Sequence, residues 1–166
     1  MELIIDNREL KTIEFFKDMP NIKYVNLDIG DFKFEYDNQL ICLIERKTIE
    51  DLQISIKDGR YKEQKLRMMQ HINSSKIIYI IEGLIDAKNT ELKQIYGSII
   101  SMLVRDNIKI YRTVNIEETN TFLFYLYNRL ISRPHTVIPV DNTNCVYTDN
   151  IKLKKKANIT PANCAI

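Results

Sequence analysis

An α/β fold, with a central mixed β-sheet flanked by helices on both faces, is predicted by three features of this 166-residue chain. Short Ile- and Val-rich runs alternate with longer stretches of helical periodicity. Asp37 and Asn38 punctuate two adjoining apolar runs as a hairpin turn would. Isolated glycines at 30, 59 and 83 mark boundaries between segments. Alternation of this kind implies helices covering a sheet from both sides.

Taken in order, "ELIID" reads as a strand, "RELKTIEFFKDM" as a helix with Ile13 and Phe16 on its apolar face, and "KYVNLDIG" as a second strand. "FKFEY" and "LICLIERK" form the hairpin around "DNQ". "TIEDLQISIKD" and "RYKEQKLRMMQHIN" are helical pieces broken at Gly59, and "KIIYIIEG" is a buried strand stopped by Gly83. "ELKQIYGSIISMLVRDN" is a helix, "KIYRTV" a strand, and "IEETNTFLFYLYNRLIS" a helix expected to have Thr119 or Asn120 near its start. The pattern ends at Pro134, so residues 1–133 are expected to form one domain and 134–166 a linker or partly ordered basic tail containing "KLKKK".

A hydrophobic fraction of 45%, a charged fraction of 28% and a net charge of +2 describe an ordinary globular chain. That net charge leaves the partner open, because nucleic-acid binding depends on local clustering of Lys and Arg. Cys42, Cys145 and Cys164 match neither a disulfide framework nor a metal-ligand spacing. Cys42 suits a small core position, and His71 and His135 have no partner in sequence. No stretch approaches membrane-spanning length, so no membrane partner is expected. An intracellular setting is the expectation, and the wealth of Ile, Asn and Lys suggests an AT-rich genome such as that of a large DNA virus or a low-GC microbe.

Chemistry concentrates where "LICLI" runs into "ERK". Alternation along a strand sends Glu45 and Lys47 to one face and Arg46 to the other. If the hairpin closes at Asp37, Asp31 of "DIGDF" comes to the same end of the sheet as Glu45. Two convergent carboxylates suit Mg²⁺, with water and substrate phosphate completing the shell, and Lys47 stands where a nucleophilic water needs orienting. On their own these charges also fit a solvated strand end. Likewise Asp6 and Arg8 fit a helix cap, and Asp51 fits the first turn of a helix, where the dipole favours an acid.

The surrounding text resembles the XPF-type structure-specific DNA endonucleases, a branch of the restriction-endonuclease-like PD-(D/E)XK superfamily. The resemblance rests on Gly30-Asp31, Glu45-Arg46-Lys47 and Asp51 after "TIE", on Asp6, Arg8 and Glu9 in "IIDNRE", and on Ser55, Gly59, Arg60, Tyr61, Gln64 and Arg67 in "SIKDGRYKEQKLRM". It covers about residues 1 to 133. It implies a Mg²⁺-dependent endonuclease, with Mn²⁺ able to substitute, that cuts flap, fork or nicked-junction DNA. Catalytic residues would be Asp6, Glu9, Asp31, Glu45, Arg46, Lys47 and Asp51, with Asp31, Glu45 and Asp6 on the metal. Glu9 and Asp51 would act as outer ligands or fix Arg46 and Lys47.

The basic stretch Lys57, Arg60, Tyr61, Lys62, Gln64, Lys65 and Arg67 is expected to hold DNA phosphates and to set the duplex without reading bases. Phe122, Phe124, Tyr125, Tyr127 and Leu130 make the last helix apolar nearly all round, which suits a homodimer or a heterodimer with a related nuclease-fold subunit. The resemblance implies a tandem helix-hairpin-helix domain after the nuclease domain, and "KLKKKANITPANCAI" is expected to be the linker that normally leads into it. Localisation would be the nucleus or, for a viral protein, the cytoplasmic or nuclear site of genome replication. The alternative function is a noncatalytic DNA-binding scaffold subunit, and a sequence-specific cutter of restriction type is a third reading.

Overall fold

Residues 1–139 are described by a computed structural model; the stretch expected to be a basic tail lies, from residue 140 on, outside the described residues. Six strands form one mixed sheet in the order β2-β1-β3-β4-β5-β6. They are β1 Glu2–Asp6, β2 Ile22–Val25, β3 Phe32–Tyr36, β4 Gln39–Thr48, β5 Ile77–Glu82 and β6 Lys109–Thr113. The helices are α1 Leu10–Phe16, α2 Ile49–Lys57, α3 Arg60–His71, α4 Leu92–Ile100 and α5 Ile116–Ser132. Strands β1, β3 and β4 pair antiparallel, whereas β2 runs parallel to β1, and β4, β5 and β6 run parallel to one another.

The β3–β4 hairpin turns at Asp37 and Asn38, both at positive φ, a conformation that Asp and Asn tolerate better than most side chains. Two apolar layers follow from the period of two along the strands. Cys42, Ile44 and Ile80 join Leu3, Phe16, Phe32, Leu123 and Leu130 beneath α1 and α5. Leu43, Tyr79 and Ile81 join Leu52, Tyr61, Met68, Ile95 and Met102 beneath α2, α3 and α4. The same alternation carries the charged end of β4 onto opposite faces, with Glu45 and Lys47 on the α2/α3 side.

Four details differ from the sequence reading, three of them element boundaries and one a cap. Helix α1 is confined to Leu10–Phe16 and β2 to Ile22–Val25, so "NLDIG" is an irregular connection that delivers Asp31 to the sheet edge. The N-cap of α5 is Asn115, whose side chain accepts from the Glu118 amide. Thr119 and Asn120 lie inside the helix, buried, and make polar contacts to the sheet and to α1. The helix predicted over 91–107 ends in a π-helical turn, Ser101–Arg105, after α4. Among the described residues no helix is long and apolar enough to cross a membrane.

Candidate active site

Gly30 sets the position of the first acid. Its φ of +72° lies in the left-handed region, and a Cβ there would sit 2.7 Å from Leu43 Cδ1 and 3.2 Å from the Ile44 carbonyl oxygen. No other residue approaches β4 this closely without displacing Leu43. Asp31, next in sequence, is clamped between strands: its amide donates to the Ile44 carbonyl at 2.8 Å, and its own carbonyl accepts the Asp6 amide at 2.9 Å. Its Oδ2 accepts the Arg46 amide at 2.8 Å, which ties the carboxylate to the strand that carries Glu45. Gly30→Ala combines a left-handed backbone penalty with overpacking, and should cost about 2 kcal/mol. Thermal unfolding beside Gly59→Ala checks this, since Gly59 is also at positive φ but has open space around its Cβ position.

Glu45 and Lys47 project together into the cleft face. Lys47 Nζ stands 3.6 Å from Glu45 Oε1 and donates to Gln64 Oε1 at 3.1 Å. Both are buried, at 8% exposure each, a position that ionisable groups avoid unless paired or functional. Burial first, and then repulsion from Asp31, pushes the Glu45 carboxyl up to about 7 against the pull of Lys47. Burial likewise raises Asp31, opposed by its bond to the Arg46 amide. These are two carboxyls with high proton affinity and acceptor capacity left over in one cleft, which also exposes Arg8, Asp28, Gln64 and Arg67.

Arg46 lies on the other face and is held by a different acid. Its Nε and Nη2 donate to Glu82 Oε2 and Oε1 at 2.8 and 2.6 Å, a two-bond pairing, while Nη1 reaches Glu9 Oε2 at 3.4 Å. Glu82 is steadied in turn by the Thr119 hydroxyl at 2.7 Å, which lies 2.8 Å from the Thr113 hydroxyl. Sequence reasoning missed Glu82, although the signal was present: it closes the buried run "IIYII" on β5 as Glu45 closes "LICLI" on β4. The strands are parallel, so both acids reach the same end of the sheet. Glu9, half-buried, is pushed up to about 7 by burial and by Asp31, against Arg46.

Several expected members stand elsewhere. Asp6, expected on the metal, is engaged by protein donors: its carboxylate accepts the Arg8 amide at 2.8 Å, Arg8 Nε at 2.6 Å, Arg8 Nη2 at 2.9 Å and the Leu27 amide at 2.8 Å. These bonds, led by the Arg8 side chain, hold it down to about 2 despite burial. Asp51 is exposed on the first turn of α2, where its amide donates to Thr48 Oγ1, and it does not line the cleft.

Helix α3 divides the expected DNA contacts by its 3.6-residue period. Arg60, Gln64 and Arg67 follow one stripe, with Gln64 and Arg67 on the cleft, and Lys62 is exposed beside α4. Tyr61 and Lys65 point inward: Tyr61 is a core residue, and Lys65, at 3% exposure, pairs with Asp106 at 2.6 Å. Lys57 is exposed and pairs with Glu91. Gln64 holds Lys47 and is therefore part of the acid cluster.

The last helix is also partitioned. Tyr127 and Leu130 belong to the core, Phe122 and Phe124 are half-buried, and Tyr125 is exposed. The apolar stripe that lacks cover is on α4 and its π turn, where Tyr96, Ile100, Leu103 and Val104 are exposed. Edge strand β6 lies next to it, with Tyr111 stacked on Phe122 at 4.1 Å.

A mixed six-stranded sheet with Asp and Glu-x-Lys at adjoining strand ends defines an α/β domain with an acidic cleft. The ERCC4 domain family matches residues 5–126, and the chain belongs to that family. A probable crossover junction endonuclease mus81 from Dictyostelium discoideum is 34% identical over 146 residues, covering 73% of this chain and 16% of that protein. The ERCC4 domain-containing protein EP364R of African swine fever virus (isolate Pig/Kenya/KEN-50/1950) is 30% identical over 172 residues, covering 87% of this chain and 46% of the viral one. The chain thus spans less than half the length of these relatives. The fold is that of XPF from Aeropyrum pernix, with a TM-score of 0.61 at 21% identity over 82% of this chain and 68% of that one. XPF from Aeropyrum pernix in complex with DNA gives 0.62 at 22% identity, over 80% and 66%.

Glu82→Gln weakens the two-bond hold on Arg46 and should lower activity about 10- to 100-fold, the usual cost of losing a supporting group. Thr119→Val should produce a smaller loss in the same direction. Cleavage rates measured beside melting temperatures separate this positioning effect from unfolding.

Proposed function

We propose that this domain is a metal-dependent endonuclease that hydrolyses phosphodiester bonds in branched DNA such as flaps, forks and nicked junctions. The single observation that carries the reading is the convergence of Asp31 with the buried Glu45, beside the buried Lys47, at one cleft. Among the described residues no group of three or more Asp, Glu, His or Cys side chains is arranged to hold an ion. Asp31 and Glu45 offer two carboxylates to one cleft, a set that fits Mg²⁺ or Mn²⁺ sharing its shell with water and substrate phosphate. When bound, the ion would polarise the scissile phosphate and lower the pKa of a water.

The chain's own residues supply the rest. Asp31 and Glu45 would hold the cation, their proton affinity giving way to metal binding. Lys47, fixed by Gln64, would orient the attacking water and offset the charge that develops on it. Arg46 keeps Glu9 and Glu82 together at the strand ends. Arg60, Lys62 and Arg67 would set the DNA backbone through phosphates, a mode of contact that favours shape over sequence.

A second copy or a related nuclease-fold subunit would cover the exposed stripe of α4 and the β6 edge. This face replaces the core-facing side of α5 as the proposed interface, because Tyr127 and Leu130 are already spent inside the domain. That stripe also favours the scaffold reading to the extent that it demands a partner. The convergent acids speak for catalysis, since a noncatalytic subunit has no use for their repulsion. Labelled flap, fork and plain duplex DNA, incubated with Mg²⁺ or Mn²⁺ beside Asp31→Ala and Lys47→Ala, separate the two: junction-dependent cutting lost in both variants supports the enzyme, and fork binding without cutting supports the scaffold.

A further inference from the structure

Arg8 belongs to no role described so far, yet its surroundings are built. Its side chain is 72% exposed, whereas the Asp6 carboxylate that grips it is at 0%. An exposed arginine ordinarily samples many rotamers and loses that freedom on binding. Here Nε and Nη2 are fixed on the two Asp6 oxygens at 2.6 and 2.9 Å, and the Arg8 amide adds a third bond at 2.8 Å. Asp6 is itself anchored through the Leu27 amide at 2.8 Å. Nη2 also leans on the Leu27 carbonyl at 3.4 Å, while Nη1 has no partner among the described residues.

The fixed guanidinium lies on the wall of the cleft that holds Asp31 and Glu45, and Arg67 from α3 lies on the same cleft. A floor of carboxylates suits a cation, and a rim of guanidiniums suits the phosphates that would accompany it. Arginine matches a phosphate through two donors of its planar fork, and a fork already oriented gives up little entropy on contact. We propose that Arg8, oriented by Asp6, binds a phosphate of the DNA backbone next to the one being cut. Asp6 is on this account a positioning residue. The inference rests on the DNA-cleaving reading for the identity of the phosphate.

Arg8→Gln keeps an amide donor for Asp6 and removes the charge, and Arg8→Lys keeps the charge and removes the fork. The full chain would be titrated with fluorescent fork DNA in Ca²⁺, without turnover, across a range of salt and with methylphosphonates replacing single phosphates. For the wild type, neutralising one phosphate beside the scissile position should weaken binding about tenfold. In Arg8→Gln native DNA should bind about tenfold more weakly, the salt slope should fall by about 1, and the penalty at that phosphate should vanish. Arg8→Lys should retain the salt slope with part of the penalty.

Equal affinity, slope and methylphosphonate profile in folded Arg8→Gln and wild type would overturn the proposal. So would an undiminished penalty in Arg8→Lys, which remains informative if Arg8→Gln does not fold. Failure of the wild type to cut any substrate in Mg²⁺ counts against the endonuclease reading and leaves the binding profile to decide Arg8.

Discussion

Glu45→Gln is expected to lower metal-dependent cleavage by about a thousandfold while making the metal-free protein more stable above neutral pH. The first effect follows from removing one of two anionic donors, since metal polarisation is worth several kcal/mol and each 1.4 kcal/mol is tenfold in rate. The second follows from linkage. Glu45 titrates near 7 in the folded chain against an ordinary 4.5, so the folded state binds more protons than the unfolded chain between these values. Stability contributed by the protonated carboxyl is complete below 4.5 and is lost as pH rises through 7. Glutamine cannot ionise and escapes that loss. Glu9, also raised to about 7, titrates in the same window, so the pH dependence of melting should shrink in Glu45→Gln without disappearing. The same carboxyl makes protons compete with metal: Mg²⁺ affinity of the wild type should weaken about tenfold per pH unit below 7. Calorimetric metal titration and thermal melts between pH 5 and 8 would check each part.

Asp106→Ala should be the most damaging of the substitutions outside the cleft, at about 3 kcal/mol or roughly 10 °C in melting temperature. It strands the Lys65 ammonium, 3% exposed and 5.0 Å from the centre of the Tyr61 ring, without its carboxylate. Lys65→Met should cost much less, because Asp106 keeps its bond to Arg105 at 2.7 Å and the methionine fills the Lys65 position. The asymmetry distinguishes a structural lysine from a DNA-binding one. A phosphate-contacting Lys65 would instead give Lys65→Met weak DNA binding with normal melting, which unfolding curves and fork titrations of the two variants would reveal.

The fold was legible because hydrophobic period and turn chemistry agree along most of the chain. "LICLIERK" announced a strand buried on both faces that opens onto charge, and β4 is that strand. The hairpin at Asp37 was enough to bring Asp31 and Glu45 to the same end of the sheet, but the register that sets Phe32 opposite Ile44 includes a shift between Phe34 and Glu35 that the turn does not predict. Three-dimensional competition for side chains was not legible. Asp6 looks in sequence like one more acid beside the cluster, and only the bend after β1 shows that Arg8 folds back and saturates it. Lys65 and Tyr61 read as part of a basic stretch, but Asp106, far along the chain, draws Lys65 inward. Glu82 showed its place at a strand end, but nothing nearby in sequence indicated that β5 would lie beside β4, so only its partnership with Arg46 had no local sign. On helix α5 the apolar residues divide in a way no period reveals: Tyr127 and Leu130 face the core, Phe122 and Phe124 are partly covered by Tyr111 and Phe15, and Tyr125 stays exposed.

The most direct measurement is cleavage of a labelled flap substrate by wild type, Asp31→Asn, Glu45→Gln and Lys47→Met under single-turnover conditions, with Mg²⁺ titrated at fixed pH. The expected result is junction-dependent cutting by wild type, about a thousandfold lower rates in all three variants, and fork binding in Ca²⁺ little changed by Lys47→Met. Cutting that persists in Glu45→Gln and Asp31→Asn at the wild-type rate, or that proceeds equally without divalent metal, would contradict the assignment of this cleft as the catalytic centre.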